Sequence, residues 1–330
     1  MPSRTNGVAP RENFAARTIA STLSPRGSRA RLTVFGYHQV LEKRDPLRPG
    51  EPDQRDFDRD LGVMKSVFAV LPLEEAVRRL RERTLPARAA CITFDDGYAN
   101  NQTLAAPLLE AHGVPATFFV TGGAVDDGVM WNDLVIEAVA RRGAALVLKD
   151  ISWDDEKRRS AGEGSALVAA VLAELKYRPL EQRLGLAERI YRDNVGDAPP
   201  RLMMTRPMVA DLAARGFDVG GHTLTHPILS KLSAERARAE IAGCAAWLEQ
   251  VTGRAPKTFA YPNGRPGTDF DASHEAMVAE AGFAVAVSTT WSTARAGTDP
   301  YNVPRVGPWW RGRSSLTKGL LKLYLKSYLG

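Results

Sequence analysis

Cysteine is nearly absent from this chain. Two occur in 330 residues, Cys91 and Cys244, which excludes a disulfide framework. Cys91 lies in an apolar run and Cys244 in an Ala-rich helical pattern. Both read as small buried hydrophobes, with a single bridge between them left open. Long apolar runs are also missing. No stretch reaches the roughly 20 residues that span a bilayer. The first 31 residues, scattered with Pro, Ser, Arg, Asn and Gly, hold no apolar segment of the secretory type. These two absences predict a cytoplasmic location. Internal repeats and low-complexity tracts are lacking as well. Histidine is scarce, at five residues, so any pairing of histidines is informative.

What is present is ordinary for a soluble protein with a sizeable core. Hydrophobic residues make up 44% and charged residues 25%. The length suits one large α/β domain with tails and an insertion, since single barrels commonly run to roughly 200–250 residues. The net charge of +6 and pI of about 9.4 suit an anionic partner. However, the arginines are spread over many predicted helices, which favours a generally basic surface. No nucleic-acid partner is expected.

Along the chain, residues 1–30 read as a disordered tail, being polar and without periodicity. A strand at 32–37 ends at His38. Helices follow over 57–68 and 73–83, with a short strand at 69–71 between them. Residues 89–94 form an apolar, buried-type strand that stops at Asp95-Asp96-Gly97. A helix over 101–112 and a strand over 116–120 complete a βαβ unit with a parallel pair. The Ala-, Leu-, Glu- and Arg-rich region 130–200 reads as a mostly helical insertion. Alternation then resumes: helix 206–215, strand 217–221, helix 233–251 with Ser233 as N-cap, strand 257–260, helix 273–281, strand 283–288 and a short last strand at 301–305. The organisation is a tail (1–30), a barrel domain (31–312) and a C-terminal amphipathic helix (313–330). That helix alternates Leu and Tyr with Lys. Packing on its own domain is favoured, and peripheral membrane contact is the competing reading.

Three strand ends carry reactive groups: Asp95-Asp96, His222 with His226, and Tyr261-Pro262-Asn263-Gly264. In barrel enzymes the loops after the strand C-termini converge on one face. Neighbouring residues of an extended segment point opposite ways, so one aspartate can bind metal while the other faces substrate. Asp-Asp-Gly equally supplies an ordinary helix N-cap. The four-residue spacing of His222 and His226 lets two imidazoles meet on one side of a turn. With an aspartate they make two nitrogen donors and one oxygen donor. Zinc accepts that mix, as do other first-row divalent metals.

These segments resemble the polysaccharide deacetylase family, also called the NodB-homology domain or carbohydrate esterase family 4. Thr93-Phe94-Asp95-Asp96-Gly97-Tyr98, His222-Thr223-Leu224-Thr225-His226 and Phe259-Ala260-Tyr261-Pro262-Asn263-Gly264 stand where the family has its three motifs. Tyr37-His38-Gln39-Val40 looks like the opening of one subgroup. The resemblance runs over roughly residues 32–306 and is least typical at 130–200. It implies a deformed (β/α) barrel, here with a helical insertion, that removes acetyl groups from N-acetylated sugars. It implies further that Asp95 is the general base, that Asp96, His222 and His226 hold a divalent metal (zinc by preference), and that the Asn263 N–H lines an oxyanion hole.

The chain departs from the family pattern at two points. Many members have Arg where Ala260 stands, pairing with the base; Arg305 is the nearest replacement. Many also have a late Leu-x-His whose His is the general acid, and nothing after His226 offers it. His274 falls on a predicted helix and reads as a surface residue. His38, at the end of the first strand, is taken as the substitute acid. Trp131, Trp291, Trp309 and Trp310 are candidate stacking platforms for sugar rings. With no export signal visible, a lipid- or nucleotide-linked N-acetylamino sugar is the expected substrate, and an exported polymer competes with it. Two other classes remain: an amidohydrolase acting on a non-sugar C–N bond, and a carbohydrate-binding relative that has lost turnover.

Overall fold

In the computed structural model, residues 10–308 and 313–329 are described. Strand β1 (Arg31–Tyr37) is buried along nearly all of its length, as a strand covered on both faces should be. β2 (Ala69–Val70), β3 (Ala89–Phe94), β4 (Thr117–Val120), β5 (Asp218–Gly221), β6 (Thr258–Ala260), β7 (Val285–Val287) and β8 (Ala294–Arg295) complete the sheet. Its order is β7-β6-β5-β4-β3-β1-β8, with β2 beside β3. All pairings are parallel except β1 with β8. The sheet curls into a half-barrel covered by helices, so the expected deformed (β/α) barrel is the observed fold.

The helices are α1 (Pro10–Leu23), α2 (Gln54–Val67), α3 (Leu73–Arg81), α4 (Ala106–His112), α5 (Gly122–Asp127), α6 (Trp131–Arg142), α7 (Asp155–Ser160), α8 (Ser165–Lys176), α9 (Leu180–Asn194), α10 (Arg206–Ala214), α11 (Ala234–Thr252), α12 (Ala272–Glu280) and α13 (Arg313–Leu329). Ser233 caps α11 by accepting from the Arg236 N–H at 3.3 Å. Helices α6–α9 fill the region read as an insertion and have a core of their own. Val135, Val171, Leu175 and Ala187 are fully buried there. Cys91 and Cys244 are both buried and unbridged.

Several expectations need correction. Residues 10–23 are not a disordered tail but helix α1, with Ala16 and Ala20 packed into the main core. Its apolar stripe is made of small residues, so it hardly stands out from a polar sequence. Residues 1–9 lie outside the described residues. The expected last strand at 301–305 is not regular. Instead single parallel bridges join Val303 to Val287 and Val306 to Phe35. The Val303–Val306 segment thus spans the gap between β7 and β1. β8 was not anticipated; it is too short to show periodicity. His274 is not a surface residue: it is 6% exposed and its Nδ1 lies 2.8 Å from the Asp271 carboxylate at the start of α12.

Helix α13 packs Leu320, Leu323 and Tyr324 into the molecule, and the Tyr324 hydroxyl lies 3.2 Å from Thr33 Oγ1. Leu321 and Leu325 remain exposed. Among the described residues no helix is long and apolar enough to cross a membrane.

Candidate active site

Asp95, Asp96, His222, His226, Asn263 and His38 line one cavity of about 520 Å³ at the C-terminal ends of the strands. That is the place the barrel geometry reserves for chemistry. β3 delivers the two aspartates. The Asp95 N–H donates to the Tyr37 carbonyl (2.8 Å), and Asp96 then adopts φ +75°. This left-handed backbone in a non-glycine residue turns the second carboxylate away from the first.

β5 delivers the histidines. Its last residues are Gly220 and Gly221, and a Cβ on Gly220 would sit 2.6 Å from the Thr258 carbonyl. Only glycine lets β5 pass so close to β6. The His222–His226 stretch is a loop, not a helical turn, with Thr223 at φ +63° and His226 at φ +57°. Thr223 and Glu240 hold it. Glu240, from α11, accepts from the N–H groups of Leu224 and Thr225 (both 2.9 Å) and from the Thr225 hydroxyl (2.6 Å). The Thr223 hydroxyl accepts from the His226 N–H at 3.1 Å. Backbone strain held this way concentrates at functional sites.

The imidazole centroids are 4.8 Å apart. Each Nε2 lies 3.5 Å from the same oxygen, Asp96 Oδ1. His222 donates from Nδ1 to the Ala260 carbonyl (2.7 Å), which leaves the Nε2 lone pair free for a ligand role. Burial, with His222 beside it, outweighs the pull of Asp96 and pushes His226 down to about pH 3, so its ring is neutral. Burial opposes the charge on Asp96, but contacts with His222, His226 and His38 hold its pKa well below the usual carboxylate range. The three donors lie within 4.8 Å of one another. A tetrahedral cation at zinc-like bond lengths needs donors about 3.4 Å apart, so the set fits such an ion.

Asp95 sits beside this trio and is gripped by Arg305. The guanidinium donates from Nη1 to Oδ1 (2.7 Å) and from Nη2 to Oδ2 (2.8 Å). A further bond runs from Nη1 to the Thr93 hydroxyl (3.2 Å). Burial works against the Asp95 charge, yet Arg305, His222 and His38 keep its pKa below the usual value. Arg305 comes from the segment that bridges β7 and β1. Ala260, fully buried and small, leaves β6 with no side chain to do this.

Asn263 adopts φ +60°, and its carbonyl accepts from the Thr289 hydroxyl (2.8 Å). Among the described hydrogen bonds its N–H meets no protein acceptor, and the residue borders the cavity. His38 stands at the rim, its ring more than half exposed, with Nδ1 3.7 Å from Glu51. Desolvation by its neighbours works against protonation, but Asp96, Glu51 and Asp95 together outweigh it and raise its pKa above the ordinary imidazole value.

Some contributors carry no sequence signal. Arg183, from α9, is 2% exposed and has no carboxylate partner among the described residues. It donates to the His226 carbonyl (3.0 Å) and lies 4.9 Å from the Trp131 ring centre. Glu51 and Glu240 sit in unremarkable charged stretches. Of the tryptophans, Trp131 lines the cavity. Trp291 lies in a separate cleft beside α13, and Trp309 and Trp310 are outside the described residues.

The sequence profile of the family described as "Polysaccharide deacetylase" matches residues 82–179 and 184–286, more than half of the chain. No curated protein matches it. Among solved structures, the Streptococcus pyogenes deacetylase PplD in complex with acetate is 17% identical, with a TM-score of 0.58 over 89% of this chain and 98% of that one. IcaB from Ammonifex degensii is 21% identical, with a TM-score of 0.57 over 90% and 98%. The BpsB deacetylase domain from Bordetella bronchiseptica is 16% identical, with a TM-score of 0.52 over 84% and 95%. At these identities the likeness speaks for the fold, and the profile match for the family. This chain belongs to the polysaccharide deacetylase family.

Proposed function

We propose that this polysaccharide deacetylase hydrolyses the acetamide of an N-acetylated sugar, using a divalent metal held by Asp96, His222 and His226. The observation that carries the reading is the meeting of those three donors beside an Arg305-clamped Asp95. When bound, the metal would supply Lewis acidity and lower the pKa of a water toward about 7.

The remaining steps belong to side chains of this chain. Asp95, kept charged by Arg305, accepts the proton of the attacking water. The Asn263 N–H donates to the oxyanion that develops on the acetyl oxygen as the carbonyl carbon becomes tetrahedral. His38, held near Glu51 and biased toward its protonated form, gives a proton to the departing amine. Trp131 offers a face for the sugar ring, and its contact with Arg183 fixes its orientation. Acetate and a free amino sugar result. The reading as an inactive carbohydrate binder draws its support from Ala260 and from the missing late Leu-x-His, and Arg305 reaching Asp95 weakens the first of these.

The expected substrate is a cytoplasmic precursor, lipid- or nucleotide-linked, rather than an exported polymer. Acetate release from a panel of N-acetyl sugars, with and without chelator, tests the whole reading. Chelator-sensitive release supports it. Release that persists after complete metal removal, or no release from any sugar, refutes it.

A further inference from the structure

Half of the active-site cavity is not built by the barrel. The loop before α2 contributes Leu47, and the helical insertion contributes Ile136, Val168, Ala169, Leu172 and Ala173. These side chains give the cavity an aliphatic wall, of which Ile136 and Val168 also belong to the insertion's own core. On α8, Val168, Leu172 and Lys176 recur at four-residue intervals and so share one face. The adjoining face of α8 is occupied: Leu167, Val171 and Leu175 are buried in the insertion's own core, and Val168, 5% exposed, sits at the seam between that core and the cavity. Ala169 and Ala173 are exposed, and Leu172 is half-buried.

The order along this face matters. Arg183 ties the C-terminal end of α8 to the metal-ligand loop, donating both to the Lys176 carbonyl (3.4 Å) and to the His226 carbonyl (3.0 Å). Lys176 therefore stands nearest the reacting centre, and Leu172 and Val168 run away from it. At helical rise the stripe from Lys176 to Val168 is about 12 Å long. Besides His38 and the two histidines of the donor trio, the basic side chains lining the cavity are Lys176 and Arg48. Arg48 is already engaged by Asp45 (2.6 Å), Glu137 (3.1 Å) and Asp133 (3.7 Å). Lys176 has no ion-pair partner among the described residues, and its ammonium lies 5.6 Å from the Tyr177 ring centre.

Hydroxylated sugar rings running along this wall would lose water and gain no hydrogen bonds there, which is unfavourable. A hydrocarbon gains from the same burial. An anion joining the sugar to that hydrocarbon would fall beside Lys176. Resting on the deacetylase reading above, we propose that the sugar is presented on an apolar carrier through an anionic linkage, with the carrier lying along α8. The chemistry is that of a lipid phosphodiester. A nucleotide shares the anion but has no hydrocarbon to match the aliphatic wall.

Four substrates separate the contributions: N-acetylchitobiose, N-acetylglucosamine 1-phosphate, its decyl phosphodiester, and decyl N-acetylglucosaminide. The wild-type enzyme is expected to favour the decyl phosphodiester over the 1-phosphate by roughly tenfold or more in kcat/KM, the return on burying about two methylene groups. In Ala173→Glu, a change at an exposed helical position, that ratio should fall toward unity. In Lys176→Gln, the ratio of decyl phosphodiester to decyl glycoside should fall instead. Comparable kcat/KM for decyl and non-decyl substrates in the wild type would overturn the proposal. So would an Ala173→Glu variant that melts as the wild type does and keeps the full decyl preference.

Calorimetric binding of decyl phosphate to the wild type and to Ala173→Glu gives a readout that needs no turnover. Binding to the wild type that Ala173→Glu weakens, with no acetate from any of the four sugars, would remove the deacetylase reading and leave the carrier wall standing. No binding to the wild type overturns the wall, whatever the rates.

Discussion

Replacing Arg305 with methionine should separate the fate of Asp95 from that of the metal donors. Methionine fills much of the same space and removes the guanidinium. Asp95 and Arg305 have side chains only 9% and 4% exposed, so water cannot replace the lost partner well. Breaking such a pair from one side costs about 3–5 kcal/mol, because a buried charge is left uncompensated. The carboxylate then escapes by taking up a proton. Burial, already the largest influence on it, is no longer outweighed, and its pKa climbs above the ordinary value. Each unit of climb corresponds to about 1.4 kcal/mol. If Asp95 is the base, the acid limb of kcat/KM reports it losing its charge as pH falls, and that limb should move to higher pH.

Folding lowers the Asp95 pKa, so the stability it contributes grows as pH rises. In the wild type the depressed pKa of Asp95 contributes stability above about pH 4 that is lost below it. The variant should lack this contribution. Urea unfolding at pH 7 measures the first effect and a pH-rate profile the second. Arg305→Lys keeps the charge but not the two-pronged grip, and should cost about 1.5–3 kcal/mol. The double variant Asp95→Asn/Arg305→Met should be less destabilised than Arg305→Met alone. An Arg305→Met protein within about 1 kcal/mol of the wild type, with an unmoved acid limb, would refute the reasoning.

Other outcomes follow from the same geometry. His222→Ala or His226→Ala should empty the metal site by elemental analysis, while Asp95→Asn keeps the metal and loses turnover; equal metal loss in Asp95→Asn would contradict the division of roles. Added zinc should stabilise the wild type by about 2.7 kcal/mol at a hundredfold excess over Kd, and His222→Ala hardly at all. If His38 is the acid, activity falls as pH rises through its elevated pKa, and Glu51→Gln should draw that limb to lower pH; unchanged rates in His38→Ala would remove it from the mechanism. Asp133 is buried behind Tyr98, and burial pushes it up to about 7. The stability its neutral form provides is full below about pH 4 and lost as pH rises to about 7, a swing of up to about 4 kcal/mol. Asp133→Asn should flatten that stretch of the stability profile, and an unaltered slope would count against it.

The βαβ alternation was legible because buried strands such as 89–94 are unbroken apolar runs, and the loops that end them carry Asp, His and Asn. The donor trio was legible for the same reason: each member stands in a loop that follows a strand, where a barrel brings loops together. The Arg305 grip was only a guess by proximity in kind. Its segment is held by single bridges to β7 and β1, without the period that marks a strand. Helix α1 was missed because alanines, not large apolar residues, make its buried stripe. Glu240 and Arg183 were invisible, since a charged residue on a helix reads as solvated until something is seen to cover it.

The sequence by itself determined the class of fold, the family and the chemical inventory of the site, because periodicity and strand-end residues are local properties. The tertiary structure alone decided which charge faces which. That Arg305 clamps Asp95, that one oxygen of Asp96 faces both imidazoles, and that α8 lends the cavity an aliphatic wall all depend on contacts between distant segments. Such contacts are set by packing, and packing leaves no period in the chain.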